Sequence, residues 1–392
     1  MSDPSSTTRW LTVGRSNSAE SRVAGDAAAA EALRSADARL LIVFASDRYD
    51  LPVLVSAIND RSGDVPLIGC STAGEIATDG PGEAGVVVLA LGGEGFSVAT
   101  THAGDAASRL GEAGAEVASA LDGVATRPNR VLLLLTDGLA GDQQEIVRGA
   151  YRVAGAAIPL VGGCAGDDLK MRTTYQFHGR EVLRDAVVGA AIGSDGAFGI
   201  GVRHGWRTVG EPMVVRRSAN NRVYVLDDRP ALDAYLERLS APPEAYNDPA
   251  AFTRFALTHP LGLNRRTGEE QVRFVAEANF DDRSIGCIAE VPQGALAWFM
   301  EGDAESVLDA TDAACRDALR SLAGRPPIGF LAFDCIARKG VLGLPGTKDE
   351  IDRVAEHADG APVAGFYTYG EIARTQGVTG FHNQTLVVLA VS

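Results

Sequence analysis

The chain has 392 residues, 46% of them hydrophobic and 22% charged, which is typical of a globular protein with a sizeable core. Its net charge of −15 argues against nucleic-acid binding, because neutralising phosphates requires clustered Lys and Arg. No apolar run approaches the roughly 18 residues of a membrane span, the five scattered cysteines contain no CxxC pair, and no signal-peptide order opens the chain. We therefore expect a cytoplasmic protein of about two domains, without membrane contact.

After a loose start with one short strand, the chain repeats one pattern three times. An apolar run ends near an acid, a helix-like segment follows, and a Pro precedes a strand, a Gly-rich acidic turn and another apolar strand. The turns read VPLIGCSTAGEIA at 65–77, IPLVGGCAGDD at 158–168 and APVAGFYTYGEIA at 361–373. We interpret each repeat as a duplicated β-α-β-β unit.

The repeated runs fix the order of the predicted strands. The runs before the helix are Leu40–Ser46, Val131–Thr136 and Ile328–Phe333, and those after the turn are Val86–Leu91, Val187–Ile192 and Leu386–Val391. Gly-Asp-Ala occurs at 104–106 and at 302–304, each time before a helical pattern. The distance along the chain from this Asp to the acid that ends the next apolar run is similar in the two places. Residues 85–193 and 284–391 are therefore predicted to be two related halves.

Helix signals fall between these strands. Apolar spacing predicts helices at 106–121 and 303–322, and Ala-rich residues 24–38 favour another. Capping-box spacings open further helices at Asp142 and Thr347. A helix at 230–239 precedes the strongest loop signal, SAPPEAYNDP at 240–249.

These elements predict an α/β fold at the boundary with α+β: layered mixed sheets with flanking helices, built from duplicated β-α-β-β units in two domains. We expect a loose segment at 1–28, a first domain at 29–225 and a second at 226–392.

Several motifs resemble the FIST family, which has an N-terminal and a C-terminal domain. GCSTAGEI at 69–76 and VRHGWRTVGEPM at 202–213 resemble its first domain. Five motifs resemble its second domain: RPALDAYLERL at 229–239, HPLGL at 259–263, FDCIARKGVLG at 333–343, GFYTYGEIA at 365–373 and FHNQTLVVLA at 381–390.

The resemblance implies an intracellular sensory module that binds a small ligand, such as an amino acid, and signals to a separate output protein. A histidine kinase or a cyclic-dinucleotide enzyme is the kind of partner implied. Some members resemble haem-containing nitric oxide sensors. Because the two FIST parts fill this chain, we expect the output to lie in a partner.

The first and third turns are the predicted ligand site. Hydroxyls and closely spaced backbone N–H groups suit a carboxylate, a Glu suits an ammonium group, and Tyr rings can cover a side chain. The alternative is that these Gly-Glu pairs close tight turns and the hydroxyls satisfy backbone groups. The predicted ligand-binding residues are Cys70, Ser71, Thr72, Gly74, Glu75, His204, Tyr367, Tyr369, Gly370, Glu371, His382 and Asn383. We expect the middle turn, Gly162–Asp168, to be structural.

Two other functions remain open at this stage. One is a hydrolase or transferase that uses Cys70 or Ser71 with His204 or His382, although GxSxG, P-loop and dinucleotide motifs all fail and we expect no enzyme. The other is a haem sensor with His204 or His382 as the axial ligand. The six His show no close spacing that predicts a zinc site, so no metal and no cofactor is expected.

Overall fold

The computed structural model describes residues 8–35, 37–263, 271–375 and 380–392. Its first unit begins the chain. It comprises β1 (Trp10–Ser16), α1 (Ser21–Ala32), β2 (Ala38–Ser46), α2 (Leu51–Ser62), β3 (Leu67–Thr72), β4 (Glu75–Ala77), β5 (Gly80–Gly82) and β6 (Val86–Gly92).

The second unit repeats this order. It comprises β7 (Phe96–Ala103), α3 (Leu110–Ala118) between short 3-10 helices at Ala106–Ser108 and Ser119–Val124, β8 (Asn129–Thr136), α4 (Gln143–Ala154), β9 (Leu160–Cys164), β10 (Gln176–His178), β11 (Glu181–Leu183) and β12 (Val187–Ser194). The Asp142 carboxylate caps α4 by accepting the Gln144 N–H, so the helix start predicted there is confirmed.

The third unit opens with β13 (Phe198–Arg203) and is interrupted by a large insertion. The insertion comprises β14 (Arg207–Ala219), β15 (Arg222–Leu226), β16 (Arg229–Pro230), α5 (Ala231–Arg238), a 3-10 helix at Pro243–Tyr246, α6 (Pro249–Ala256), β17 (Leu261–Leu263), β18 (Gln271–Arg273), β19 (Val275–Asn279), β20 (Ser284–Cys287) and β21 (Leu296–Glu301). Its strands form one antiparallel eight-stranded sheet with a separate core.

The third unit then resumes and ends the chain. It comprises α7 (Ala304–Arg320), β22 (Gly329–Cys335), α8 (Ile336–Ala358), β23 (Val363–Thr368), β24 (Glu371–Arg374), β25 (Phe381–His382) and β26 (Leu386–Val391). Asp303 and Ser306 form a reciprocal capping box at the start of α7, where the sequence predicts a helix.

The three units build three six-stranded sheets with the same strand order and the same parallel pair. The orders are β1-β6-β2-β3-β10-β11, β7-β12-β8-β9-β24-β25 and β13-β26-β22-β23-β4-β5. In each sheet the last two strands are a hairpin from another unit. The hairpin of the first unit joins the third sheet, the hairpin of the third unit joins the second sheet, and the hairpin of the second unit joins the first sheet. The exchange closes a ring.

Hydrophobic side chains cover both faces of these sheets. One core cluster joins the inner faces of all three sheets, and three others lie between the outer faces and the helices. Burial on both faces explains why β2, β8 and β22 read as nearly continuous apolar runs. The predicted mixed α/β class is confirmed. None of the helices within the described ranges has both the length and the apolar character needed to cross a membrane.

In each repeated turn the Pro is followed by two or three apolar residues and then by a Gly. The pairing of the parallel strands explains why this position is Gly. A Cβ at this position would collide with the carbonyl oxygen of the paired residue on the neighbouring strand. The separations would be 2.3 Å for Gly69 and Val43, 1.9 Å for Gly162 and Leu134, and 1.9 Å for Gly365 and Ala332. The shared Gly therefore allows close strand contact.

Two predictions about the third unit are wrong in detail. The helix predicted to open at Thr347 begins earlier: α8 consists of two helices that meet at Gly343, where φ is +62°, and Thr347 lies inside the second of them. The strand that precedes Gly302, β21, lies in the inserted sheet. In the second sheet β7 is the edge strand beside β12, and in the third sheet the corresponding edge strand, beside β26, is β13. The related half predicted at 284–391 therefore begins inside the insertion. The common strand order is consistent with duplication, which stays an interpretation.

Candidate functional site

The three repeated turns meet at the centre of the molecule. Between the first and third turns, Ala73 N–H donates to the Tyr367 carbonyl (3.1 Å) and Tyr367 N–H donates to Gly74 (2.8 Å). Between the first and middle turns, the Ser71 hydroxyl donates to the Gly166 carbonyl at 2.8 Å. Between the middle and third turns, Cys164 N–H donates to Gly370 at 2.8 Å. These bonds close a ring of backbone contacts.

The first and third turns have the same internal hydrogen bonds. Thr72 Oγ1 donates to Glu75 Oε1 at 2.6 Å, and the Gly85 N–H donates to Glu75 Oε2 at 2.7 Å. In the third turn, Thr368 donates to Glu371 at 2.5 Å, while Thr385 donates from both its N–H and its hydroxyl. Both carboxyls therefore brace their own turns.

Burial makes both glutamates unusually basic. It raises the pKa of Glu75 and of Glu371 to about 7, although the hydrogen bonds from Thr72 and Thr368 act in the opposite direction. Both groups therefore change charge near neutral pH. The Lys339 ammonium also lowers the Glu75 pKa. It donates to the Ala73 carbonyl (3.3 Å) and lies 5.0 Å from the centroid of the Tyr367 ring.

The middle turn holds its own anion. Asp167 accepts N–H groups from Met171, Arg172 and Thr173, and the Tyr369 hydroxyl donates to the same carboxylate. Burial would raise the pKa of Asp167, but these hydrogen bonds outweigh it and lower the pKa. The carboxylate thus orders the segment that follows the turn.

Most predicted ligand residues of these turns lie in the interior. The side chains of Cys70, Ser71, Thr72, Tyr367 and Glu371 are essentially inaccessible to solvent, and Tyr369 is partly buried. His382 pairs with Glu371 across β25 and β24, and Asn383 is buried beside it. Glu75 is also buried, with 1% of its surface exposed, but of the predicted residues, all of which the structure describes, it is the one that lies in the lining of a surface cleft.

This cleft has a volume of about 370 Å³, at the low end of the range for ligand pockets. It lies where the parallel strands β2 and β3 end, the usual place for a ligand in an α/β sheet. One wall is Arg15–Asn17 at the end of β1. Arg48, in the turn after β2, and Val86–Val87 on β6 also line it, and the segment of the β4–β5 hairpin contributes Glu75, Ala77 and Gly80–Glu83 from the third sheet.

The cleft contains charges of both signs. Arg15 forms an ion pair with Asp79 at 2.5 Å, and Arg48 is exposed and donates to the carbonyls of Asn17 and Ser18. Neither arginine could be predicted from the repeated turns, because both lie outside them. The only signal was the position of Arg48 two residues after an apolar run, where loops from parallel strands meet.

The two histidines singled out from the sequence lie against backbone groups. His204 Nδ1 accepts the Trp206 N–H at 3.0 Å, and His382 Nε2 lies 2.9 Å from the Ala373 carbonyl. Burial, with Arg338 and Arg203 nearby, lowers the pKa of His204 to about 4. Because His204 accepts through Nδ1, its neutral ring carries the proton on Nε2, which does not fit an axial haem ligand at either nitrogen.

Neither Ser71 nor Cys70 has the surroundings of an activated nucleophile. The Ser71 hydroxyl donates to Gly166 and accepts the Tyr175 N–H, so its hydrogen bonds go to the backbone rather than to a His. Burial raises the pKa of the Cys70 thiol well above its usual range, opposite to what a reactive thiolate needs.

A buried ionic cluster next to the third turn was not predicted. Arg338 donates to Asp334 at 2.7 Å, to Glu350 at 2.5 Å and to the His204 carbonyl at 3.0 Å. The three charged side chains are fully buried. Burial, followed by the charge of Glu350, raises the pKa of Asp334 well above its usual range. One guanidinium thus pairs with two buried acids.

Comparison with known proteins identifies the family. The FIST N domain matches residues 39–229 and the FIST C domain matches residues 231–374. An uncharacterized protein of Methanocaldococcus jannaschii is 26% identical over 286 residues, which is 68% of this chain and 54% of that protein. Uncharacterized proteins from two strains of Mycobacterium tuberculosis are 27% identical over 230 residues, which is 58% of this chain and 59% of theirs.

The chain thus spans between half and two thirds of the length of the curated relatives it matches. The family boundary at residues 229–231 lies close to the predicted division at 225/226, which stays a prediction. The two family regions together cover most of the sequence, in the order that the motifs predict. The chain therefore belongs to the FIST family, whose domains are sensory domains of signal transduction.

Proposed function

We propose that this protein is an intracellular sensor that binds a small zwitterionic metabolite, such as an amino acid, in the cleft at Glu75. The observation that supports it is the combination of two arginines with Glu75 and Glu83 around a small, polar cleft. Guanidinium groups bind carboxylates through paired hydrogen bonds, and a carboxylate binds an ammonium group. A free amino acid carries both charges.

The cleft is also suited to signalling. Its two walls belong to different sheets: β1 and β6 lie in the first sheet, whereas the β4–β5 hairpin lies in the third. A ligand that contacts both walls changes the relative stability of open and closed arrangements. We propose that this change is read by a separate signalling protein, such as a histidine kinase or a cyclic-dinucleotide enzyme, and that the chain itself is not an enzyme.

Calorimetry with the twenty amino acids tests the proposal. We expect at least one to bind, and Arg48→Ala to weaken binding at least tenfold, because a charge-assisted hydrogen bond contributes about 1.5–3 kcal/mol. Lys348→Ala is the matched control: it removes an exposed cation that pairs with Asp352 on the surface of α8. The proposal fails if folded protein gives no heat with any amino acid, or if Arg48→Ala binds as tightly as the parent.

The pH dependence of binding tests the role of Glu75 separately. The pKa of Glu75 is about 7, so the carboxyl is largely protonated at pH 6 and largely ionised at pH 8. An ammonium group binds the ionised form, so affinity should rise with pH across this interval. In Glu75→Gln this dependence should disappear. A persistent pH dependence in that variant would assign it to another group.

A further inference from the structure

Two histidines that are 76 residues apart in sequence meet at the contact between two sheets. His102 lies on β7 at the edge of the second sheet, and His178 lies on β10 in the hairpin that joins the first sheet. Glu181, on β11, is paired with His178 across the hairpin. This cluster lies apart from the cleft at Glu75.

The ring nitrogens are close enough to share an ion. The Nδ1 atoms of His102 and His178 are 3.1 Å apart, and one ligand atom from each of the three residues lies within 4.8 Å of the other two. Two nitrogens bound to one tetrahedral zinc ion at about 2.0–2.1 Å lie roughly 3.3 Å apart. The observed separation therefore requires only a small adjustment.

We propose that His102, His178 and Glu181 form a binding site for a zinc ion. Two imidazoles and one carboxylate are a common zinc ligand set, and they leave a fourth position for water. Glu181 is exposed, so its side chain is free to move the remaining distance to the ion. The two imidazoles are partly buried, which fixes them more firmly.

One further contact favours metal binding by His178. Its Nε2 lies 3.2 Å from the Thr100 hydroxyl, an outer contact that orients the ring and leaves Nδ1 facing His102.

The site would link the first sheet to the second, which gives zinc a structural effect. Close sequence spacing, on which the expectation of no zinc site relied, could not reveal it. The strands that carry His102 and His178 are separated by α3, β8, α4 and β9 and meet only through the hairpin exchange.

Calorimetry with zinc chloride tests the site on tag-free full-length protein that has been treated with EDTA and dialysed. We expect one equivalent to bind, and His102→Ala and His178→Ala each to weaken binding at least tenfold. His357→Ala is the control, because that imidazole lies on α8 and contacts Asp312 at 3.1 Å. The proposal is overturned if the parent binds no stoichiometric zinc, or if both variants bind as tightly as the parent.

Two further measurements remain informative if a His variant folds poorly. Glu181→Gln changes an exposed side chain and should weaken zinc binding without affecting the circular dichroism spectrum. Zinc should also raise the melting temperature of the parent, since a ligand specific to the folded state stabilises it, but raise that of Glu181→Gln less. Cobalt should give the visible absorption of a tetrahedral site. Equal zinc stabilisation of the two proteins would refute the three-ligand site, and an octahedral cobalt spectrum would refute its tetrahedral geometry.

Discussion

Arg338 is a fully buried cation with two fully buried carboxylates, Asp334 and Glu350. Removing the guanidinium leaves the acids without a counterion in a low-dielectric interior. We predict that Arg338→Met lowers the free energy of unfolding by about 3–5 kcal/mol, the usual result of breaking a buried ion pair from one side. Urea denaturation followed by circular dichroism measures this loss.

A double variant separates charge from packing. Arg338→Met combined with Glu350→Gln should recover part of the loss, because one of the two unpaired acids is then neutral. Lys348→Ala is the control and should change stability by less than about 1 kcal/mol, as is usual for an exposed pair. A loss in Arg338→Met no greater than in Lys348→Ala would contradict the assigned role of the cluster.

Glu371 should make folding stability depend on pH. Its pKa is raised from 4.5 to about 7, so its stabilising contribution is complete below pH 4.5 and is lost as the pH rises through 7. Each pKa unit corresponds to about 1.4 kcal/mol. We predict that Glu371→Gln is more stable than the parent at pH 8, by up to about 3 kcal/mol, and that the difference shrinks towards pH 5.

Urea denaturation at pH 5, 6, 7 and 8 checks the sign of this effect. Gln preserves the geometry, because its amide oxygen can accept from Thr385 while its NH₂ donates to Thr368. The control is Glu94→Gln, which neutralises an exposed carboxyl. A stability difference between Glu371→Gln and the parent that is constant across this pH range would show that Glu371 does not titrate near neutrality.

At the residue scale the repeated motif identified Glu75 but not the rest of its cleft. The motif made the glutamates visible because Thr, Gly and Glu recur at fixed spacing. It could not show that Cys70 and Glu371 lie in the interior, because that depends on how three sheets pack together. Arg15 and Arg48 could not be predicted as cleft residues, because they do not belong to a repeated sequence motif.

The shared Gly of the three turns is an element-scale constraint. A Cβ at Gly365 would lie 1.9 Å from the Ala332 carbonyl oxygen, so strands β22 and β23 would have to separate. We predict that Gly365→Ala destabilises the protein by about 3 kcal/mol or more, at or above the upper end for overpacked cores. Thermal unfolding followed by circular dichroism measures the change.

Gly104→Ala is the matched control for this prediction. A Cβ at Gly104 would meet no atom within 4 Å, and its φ lies outside the left-handed region. The substitution should therefore be close to neutral. If the two variants melted at the same temperature, close contact between the parallel strands could not explain why the repeat carries Gly.

Local patterns predicted strands better than helix boundaries. The run Val131–Thr136 lies within β8, because continuous apolar sequence survives only where both faces of a strand are buried. The start of α8 was missed, since Gly343 and Pro345 have the composition of a linker although helical residues lie on both sides. The short strands of the insertion have too few residues to show the alternation of apolar and polar positions that identifies a strand.

At the scale of the whole molecule, the exchange of hairpins was beyond sequence reasoning. The repeat predicted three similar units, but a strand gives no local sign of which sheet it will join. The β4–β5 hairpin follows β3 by two residues and yet pairs with β23, nearly 300 residues later. Such long-range pairing is decided by the packing of the three sheets around one core.

The same exchange predicts that the two family regions do not fold separately. A fragment of residues 8–229 lacks β23, β24 and β25, so β9 keeps β8 but loses β24, and β4 keeps β5 but loses β23. A fragment of residues 230–392 lacks β13, so β26 becomes an edge strand. Both fragments would expose part of the central core. We predict that each one alone aggregates or melts without cooperativity, and that co-expression yields a stable complex.

Size-exclusion chromatography and thermal melts of the two fragments, alone and co-expressed, measure this dependence. The control is the intact chain, folded first and then cleaved within the exposed turn at Asn220 and Asn221, so that the break comes only after the exchanged strands have paired. That cut should leave a complex that elutes like the intact protein. A cooperative melt from either fragment alone would mean that its sheets do not require the exchanged strands, and that the pieces dock after folding.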